Sequence, residues 1–380
     1  MSIYLDYGAT TPLDPRVRRA MEPCLESAFG NPSSVHAWGR EARHRVEGAR
    51  EAIAGALGAM AEEIVFTSCG SEANNLAVKG VVLRHAGRPV HVVATAIEHA
   101  SCLEPLRYLE ERFDWARVTC VRPDTDGAVA VHRIEEALRP ETALVSVMHC
   151  NNETGVVQPV EEIARVARRR GVLFHCDAVQ SLGKIPLRVA SVDCDLLTLS
   201  SHKIHGPKGA GLLFVRRGVE IDALVHGGGQ EQWRRAGTEN VAAICGFAEA
   251  VRIAVAEQET THSRLQNLER IFLRELGSAR FCWRINGDRA RAVPGLMSIS
   301  FPQARSEDLL VLCDLAGLAI SAGSACHAGA SEPSHVLQAM GLDSRAVGGA
   351  VRVSFGKTST ENEATQAAEI LKEVAARACR

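Results

Sequence analysis

The sequence predicts an α/β fold: a mainly parallel sheet with flanking helices, joined to a smaller α+β domain. Two observations predict it. Between residues 14 and 215, short β-branched runs alternate with helix-length segments, the pattern of βαβ units. Near residue 256 the alternation stops, and a long helical stretch leads into mixed elements. The chain has 380 residues, 46% hydrophobic and 23% charged, which suits a globular protein of two domains and is too apolar for disorder.

The elements follow in order. Asp14 and Pro15 read as an N-cap and first-turn proline, opening a helix over 14–29. A second helix is predicted over 37–57. Strands are then predicted at EIVFTSC (63–69), HVVAT (91–95), RVTCV (117–121), ALVSVM (143–148), VLFHCDA (172–178), LLTLSS (196–201) and GLLFV (211–215). Beyond 256, helices are predicted at 258–276, 306–316 and 361–376, with strands at MSISF (297–301) and AVRVSF (350–355).

Parallel sheets bind ligands at the carboxyl ends of their strands, so the residues after each run are the place to search. After EIVFTS comes Cys69-Gly70-Ser71-Glu72, a small-residue turn opening a helix. Such a turn cradles phosphate, or is a plain turn capped by Ser71. It is not a Walker loop, because the G-x-x-x-x-G-K-[ST] pattern is absent. His99 follows the next run, and Asn151-Asn152 follows ALVSVM. Asp177 emerges from an apolar strand and needs a cationic partner there, which a ring nitrogen supplies. After LLTLS comes Ser200-Ser201-His202-Lys203.

The chain has only six lysines, at 79, 184, 203, 208, 357 and 372. Lys79, Lys357 and Lys372 read as solvated charges and Lys184 as a surface turn residue. That leaves Lys203 and Lys208 in one segment, and Lys203, at the sheet edge among serines and histidines, is placed to form a Schiff base with an aldehyde cofactor. A phosphate cradle, a ring-stacking histidine, an aspartate for a pyridinium and a Schiff-base lysine at one edge make the set of groups that holds pyridoxal phosphate. No metal site is expected. Adjacent His-Cys pairs on a strand point to opposite faces.

The net charge of −2 offers no global field for nucleic acid or an anionic membrane. The longest apolar stretch, 309–320, contains Asp314 and is too short to span a bilayer. Residues 1–10 show no secretory leader. Twelve cysteines without a C-x-x-C pair suit free thiols in a reducing cytoplasm. Cys326 differs from the others, lying in a run of small residues with His327 and His335 close in sequence.

FGNPSSVH, FTSCGSEANN, EHAS, NNETG, DAVQ, SSHKIHGPKG, RRAGTEN and SAGSACHAGASEPSHV occur in this order. The chain thereby resembles the cysteine desulfurases of the NifS/IscS type over nearly its whole length. The resemblance implies a fold-type I pyridoxal phosphate enzyme that works as a homodimer. It converts L-cysteine to L-alanine and passes the sulfur to an acceptor protein such as an iron–sulfur scaffold. It also implies a large cofactor-binding domain at 13–255 and a small domain made of 1–12 and 256–380. Lys203 would hold the cofactor, Asp177 would face the ring nitrogen, and His99 would stack on the ring. Asn152 and Gln180 would contact the ring hydroxyl. Gly70, Ser71, Ser200 and His202 would hold the phosphate, with Thr238 reaching it from the other subunit. Asn31 and Arg352 would bind the substrate carboxylate, and Cys326 would accept the sulfur. A related pyridoxal phosphate enzyme, such as a selenocysteine lyase or an aminotransferase, is the alternative. Ser71, Ser201, Ala322 and His327 depart from the residues more usual in the family, which are Thr, Gly, Ser and Thr.

Overall fold

The computed structural model describes residues 2–323 and 333–378. The strands are β1 (Ile3–Tyr4), β2 (Ile64–Thr67), β3 (Val90–Thr95), β4 (Ala116–Val121), β5 (Thr142–Met148), β6 (Leu173–Asp177), β7 (Leu196–Ser200), β8 (Gly211–Val215), β9 (Arg284–Asn286), β10 (Leu296–Ser300), β11 (Leu318–Ala319) and β12 (Ala350–Ser354). Seven of them form one sheet in the order β2-β8-β7-β6-β5-β3-β4. β8 runs antiparallel to both of its neighbours, and the other pairings are parallel. The mainly parallel sheet read from the sequence is therefore present. β9, which the sequence reading missed, pairs antiparallel with β10.

The apolar runs are nearly continuous because the sheet is covered on both faces. Successive side chains alternate between two cores. Val93, Val145, Leu197 and Leu212 enter one, packed under the long helices Ala37–Leu57 and Val241–Ala256. Val92, Leu144, Leu196 and Leu213 enter the other, together with helix Gly70–Leu83. Edge strand β4 has one fully covered neighbour only and exposes Arg117 and Cys120.

A third core contains Ile3, Leu5 and residues from Leu265 to Ala375. It is built on the antiparallel sheet β12-β10-β9 and on β1, which lies parallel to β11. The chain's first residues thus pack with its last third. Asp14 caps helix Pro15–Glu26, accepting from the Arg16 N–H at 2.9 Å. Its other oxygen takes the Lys357 ammonium at 2.6 Å. Lys357 was expected to be solvated. Its side chain is 17% exposed and ties the end of β12 to this helix.

Two buried polar groups are set by the strands. Arg50 makes a two-pronged pair with Glu231, both contacts at 2.8 Å, with side chains 6% and 2% exposed. Glu231 also accepts from the Phe66 N–H, so it is fastened to β2. Glu231, Gln232 and Trp233 have φ of 46°, 57° and 66°, a left-handed run that costs L-residues energy and that the ion pair holds in place. Glu98, just past β3, is fully buried. It accepts from Thr95 Oγ1 and the Met148 N–H through one oxygen, while the other has no partner among the described residues. Burial pushes its pKa up to about 8.

Arg50→Met leaves Glu231 charged and buried, and should destabilise the fold by about 3–5 kcal/mol. Urea unfolding measures this, and a loss below about 1 kcal/mol would show that the pair is not holding the turn. Glu98 takes up a proton on folding, so its contribution to stability falls as pH rises from the ordinary carboxylate range through about 8. Glu98→Gln should flatten that decline. An unchanged slope of stability against pH would mean that Glu98 is ionised in the folded protein.

Candidate active site

The carboxyl ends of β2, β3, β5, β6 and β7 open onto one cavity of about 990 Å³. Gly70, Ser71, His99, Asn152, Asp177, Gln180, Ser200, His202, Lys203 and Arg352 all line it. Gly70 and Lys203, 133 positions apart in sequence, are brought together because the sheet collects its strand ends on one edge, and Arg352 reaches them from β12 of the smaller sheet. Asn31 and Thr238 do not line the cavity of their own chain. Both are exposed, and Asn31 Oδ1 accepts from the Ser33 N–H at 2.9 Å. Cys326 and His327 lie outside the described residues.

At one end, helix Gly70–Leu83 points its N-terminus into the cavity. Its cap is Cys69, whose Sγ accepts from the Glu72 N–H at 3.4 Å, and not Ser71. Gly211 lets β8 pass this turn, since a Cβ there would meet the Cys69 backbone at 2.4 Å. Gly70 is similarly closed in by Ser200 and Val179, each 3.2 Å from where its Cβ would sit. Ser200 Oγ is buried and has no partner among the described residues. His202 meets Thr10 Oγ1 at 3.1 Å, and its pKa is pushed down to about 4 by burial, with Lys203 and Lys208 adding to the effect. Helix N–H groups, an unpaired hydroxyl and a neutral imidazole make an anion cradle.

In the middle of the cavity, a chain of hydrogen bonds joins Asp177 to His99. Asn74 Nδ2 donates to Asp177 Oδ2 at 2.7 Å and to Ser101 Oγ at 2.8 Å. Ser101 Oγ lies 2.7 Å from His99 Nδ1, and Nδ1 also accepts from the Ser101 N–H at 3.1 Å. A nitrogen that accepts from a backbone N–H carries no proton, so the neutral ring has its proton on Nε2. Burial holds the His99 pKa below its ordinary value. The second Asp177 oxygen accepts from the Val179 N–H at 3.0 Å, which fixes the carboxylate in place.

At the other end, Lys203 Nζ donates to the carbonyls of Gly8 and Ala9, each at 2.7 Å. Gln180 Nε2 donates to the same Gly8 carbonyl at 2.9 Å. Arg352 is 2% exposed. Its guanidinium meets Asp6 Oδ1 at 2.8 Å and the Asn152 carbonyl at 3.0 Å. Ser321 Oγ donates to the same Asp6 oxygen at 2.9 Å.

Sequence reasoning missed four contributors. Asn74 stands four residues after Gly70 and so lies on the same helix face, a spacing that could have found it. Ser101 lies two residues after His99, at the start of the following helix. Asp6 had no local signal. Lys184 was expected at a surface turn. It is half-buried and donates to the Gln180 side chain at 3.0 Å.

The donor set fits pyridoxal phosphate. The orphaned Ser200 hydroxyl and the helix N-terminus suit its phosphate, the fixed Asp177 carboxylate its ring nitrogen, and the Lys203 amine its aldehyde. Comparison with known proteins agrees. The class-V aminotransferase family matches residues 3–366. A cysteine desulfurase IscS of Dictyoglomus turgidum is 41% identical over 372 residues, covering 98% of this chain and 94% of the relative. A solved NifS-like protein superposes with a TM-score of 0.93 at 36% identity, covering 99% of this chain and all of the other. A solved structure titled SspA in complex with cysteine superposes with a TM-score of 0.83 at 35% identity, covering 94% of this chain and 100% of that one. The chain belongs to the class-V aminotransferase family and, within it, to the pyridoxal phosphate-dependent cysteine desulfurases.

Proposed function

We propose that this protein converts L-cysteine to L-alanine and passes the sulfur, as a persulfide on Cys326, to an acceptor protein. The observation that carries the reading is the grouping of Lys203, Asp177, His99 and Arg352 on one cavity wall. The cysteine-bound state of a solved relative supports the choice of substrate.

Gly70, Ser71, Ser200 and His202 hold the cofactor phosphate, and Asn152 and Gln180 flank its ring hydroxyl. Asp177 faces its ring nitrogen. Bound pyridoxal phosphate supplies an electron sink for the bonds at the substrate Cα. Arg352 binds the substrate carboxylate with a planar fork of donors. Lys203 would hold the cofactor aldehyde, and its amine, when free, would carry the Cα proton. His99 exchanges its Nε2 proton with the substrate thiol. Cys326 then attacks the substrate sulfur. An S–S bond forms and the Cβ–S bond breaks, leaving its electrons on carbon. Protonation of that carbon, with return of the proton to Cα, completes alanine. Gly323 precedes the undescribed segment and is packed on Glu153, while Pro333 and His335 follow it and line the cavity. Both flanks of Cys326 are therefore at the site.

The working form is a homodimer. Thr238 is exposed, and so are Phe29, Trp38 and Trp233 at 73%, 59% and 75%. A second copy covering these rings brings Thr238 to the partner's phosphate cradle. The acceptor is an iron–sulfur scaffold or another thiol-bearing carrier. The setting is the cytoplasm: the cysteines among the described residues are free thiols, and no described helix is long and apolar enough to cross a membrane.

The purified protein should show a visible absorption band with pyridoxal phosphate, and Lys203→Ala should lose it. A wild type that stays colourless with added cofactor refutes the reading. Cys326→Ala should keep the band but form no persulfide. Mass spectrometry after cysteine addition should find one extra sulfur on Cys326 of the wild type, and full sulfide release by the variant would exclude this thiol as acceptor.

A further inference from the structure

The six lysines were expected to contain one functional member; Lys203 lines the cavity, and Lys184, outside it, holds Gln180, which does. Lys184 follows the DAVQ segment by four residues. Its backbone carbonyl accepts from Gln258 Nε2 at 3.2 Å and from His262 Nδ1 at 2.8 Å, which fixes where its side chain begins. From there Nζ reaches the backbone oxygen and the Oε1 of Gln180, both at 3.0 Å. The Gln180 amide is 4% exposed and is held on its other side by the Gly8 carbonyl, which takes Nε2.

These contacts allow one orientation of the amide. Turned over, Gln180 would set its NH₂ group against the Lys184 ammonium and its oxygen against the Gly8 carbonyl, two like-polarity contacts in a buried place. In the observed orientation the amide has two N–H groups. One goes to Gly8, and the other has no partner among the described residues. We propose that Lys184 is a positioning residue for the cofactor: it locks the Gln180 amide so that an N–H, never the oxygen, is presented to the ring hydroxyl oxygen. The inference rests on the proposed contact of Gln180 with that oxygen. A donor on the oxygen draws electron density from it and makes the nitrogen contributed by Lys203 a weaker base. A reversed amide would do the opposite.

The test is a pH titration of the visible band in the loaded protein, run on wild type, Lys184→Met, Lys184→Gln, Lys184→Arg and Gln180→Leu, with circular dichroism as the check of folding. Lys184→Met should raise the midpoint by about one pH unit, a tenfold change in proton affinity, and Gln180→Leu should do the same. Lys184→Arg keeps a cationic donor and should titrate near the wild type. Lys184→Gln, neutral and one bond shorter, should shift in the same direction as Met and replaces it if the Met variant does not fold. A purely structural lysine would lower stability without moving the midpoint. Unshifted neutral Lys184 variants beside a shifted Gln180→Leu overturn the role of Lys184 alone. A wild type that loads no pyridoxal phosphate overturns the cofactor reading itself and this inference with it.

Discussion

One short extended segment decides whether this molecule has a site at all. Residues 3–11 run from the third core across the mouth of the cavity. β1 pairs with β11, and Asp6 pairs with Arg352. The Gly8 and Ala9 carbonyls take the Lys203 amine, and Thr11 bonds the His202 carbonyl through both its N–H and its hydroxyl. Two basic side chains that line the cavity are thus held by one strap, Arg352 by a carboxylate and Lys203 by backbone oxygens. An ammonium buried without such acceptors is costly. The strap satisfies it with backbone carbonyls, which bring no charge of their own.

The rest of the site is a set of side chains held by other side chains. Asp177, Asn74, Ser101 and His99 form one connected line, so the proton position on His99 and the orientation of Asp177 are settled together. On the other side Lys184, Gln180 and Gly8 form a second line. Both lines end at the cavity, and each fixes a group that could otherwise turn over. Pre-arranged polar groups of this kind need little reorganisation when charge moves during the reaction.

Much of this was legible in the sequence, for physical reasons. The fold class was readable because buried parallel strands must be continuously apolar and their helices must be of crossover length. Lys203, Asp177 and His99 were readable because each breaks the apolar pattern just where a strand ends. Lys357 was misread because its partner Asp14 comes from 343 positions away, and Lys184 because no sequence pattern shows its side chain turning back onto Gln180, four residues earlier, within the turn that was expected. A lysine beside a glycine and near a proline looks solvated until the Gln180 amide, or the Asp14 carboxylate, is folded against it. Asp6 gave no signal, because its meaning depends on an arginine 346 positions later. The cap at Cys69 was missed because serine is the better general choice, and the turn geometry placed the thiol there instead.

The strap also sets an order of events during synthesis. Asp6 is made 346 residues before Arg352, and β1 has no partner until β11 has been made. At a translation rate of roughly 5–20 residues per second, the Asp6 segment waits many seconds for its neighbours. The large sheet can assemble in that interval, since its strands end at Val215. Such long-range closure is slow to form and late. Until the Asp6 segment is anchored by Arg352 and β11, its Gly8 and Ala9 carbonyls are not held in place to receive the Lys203 amine, and the cavity is completed only when these distant segments have met.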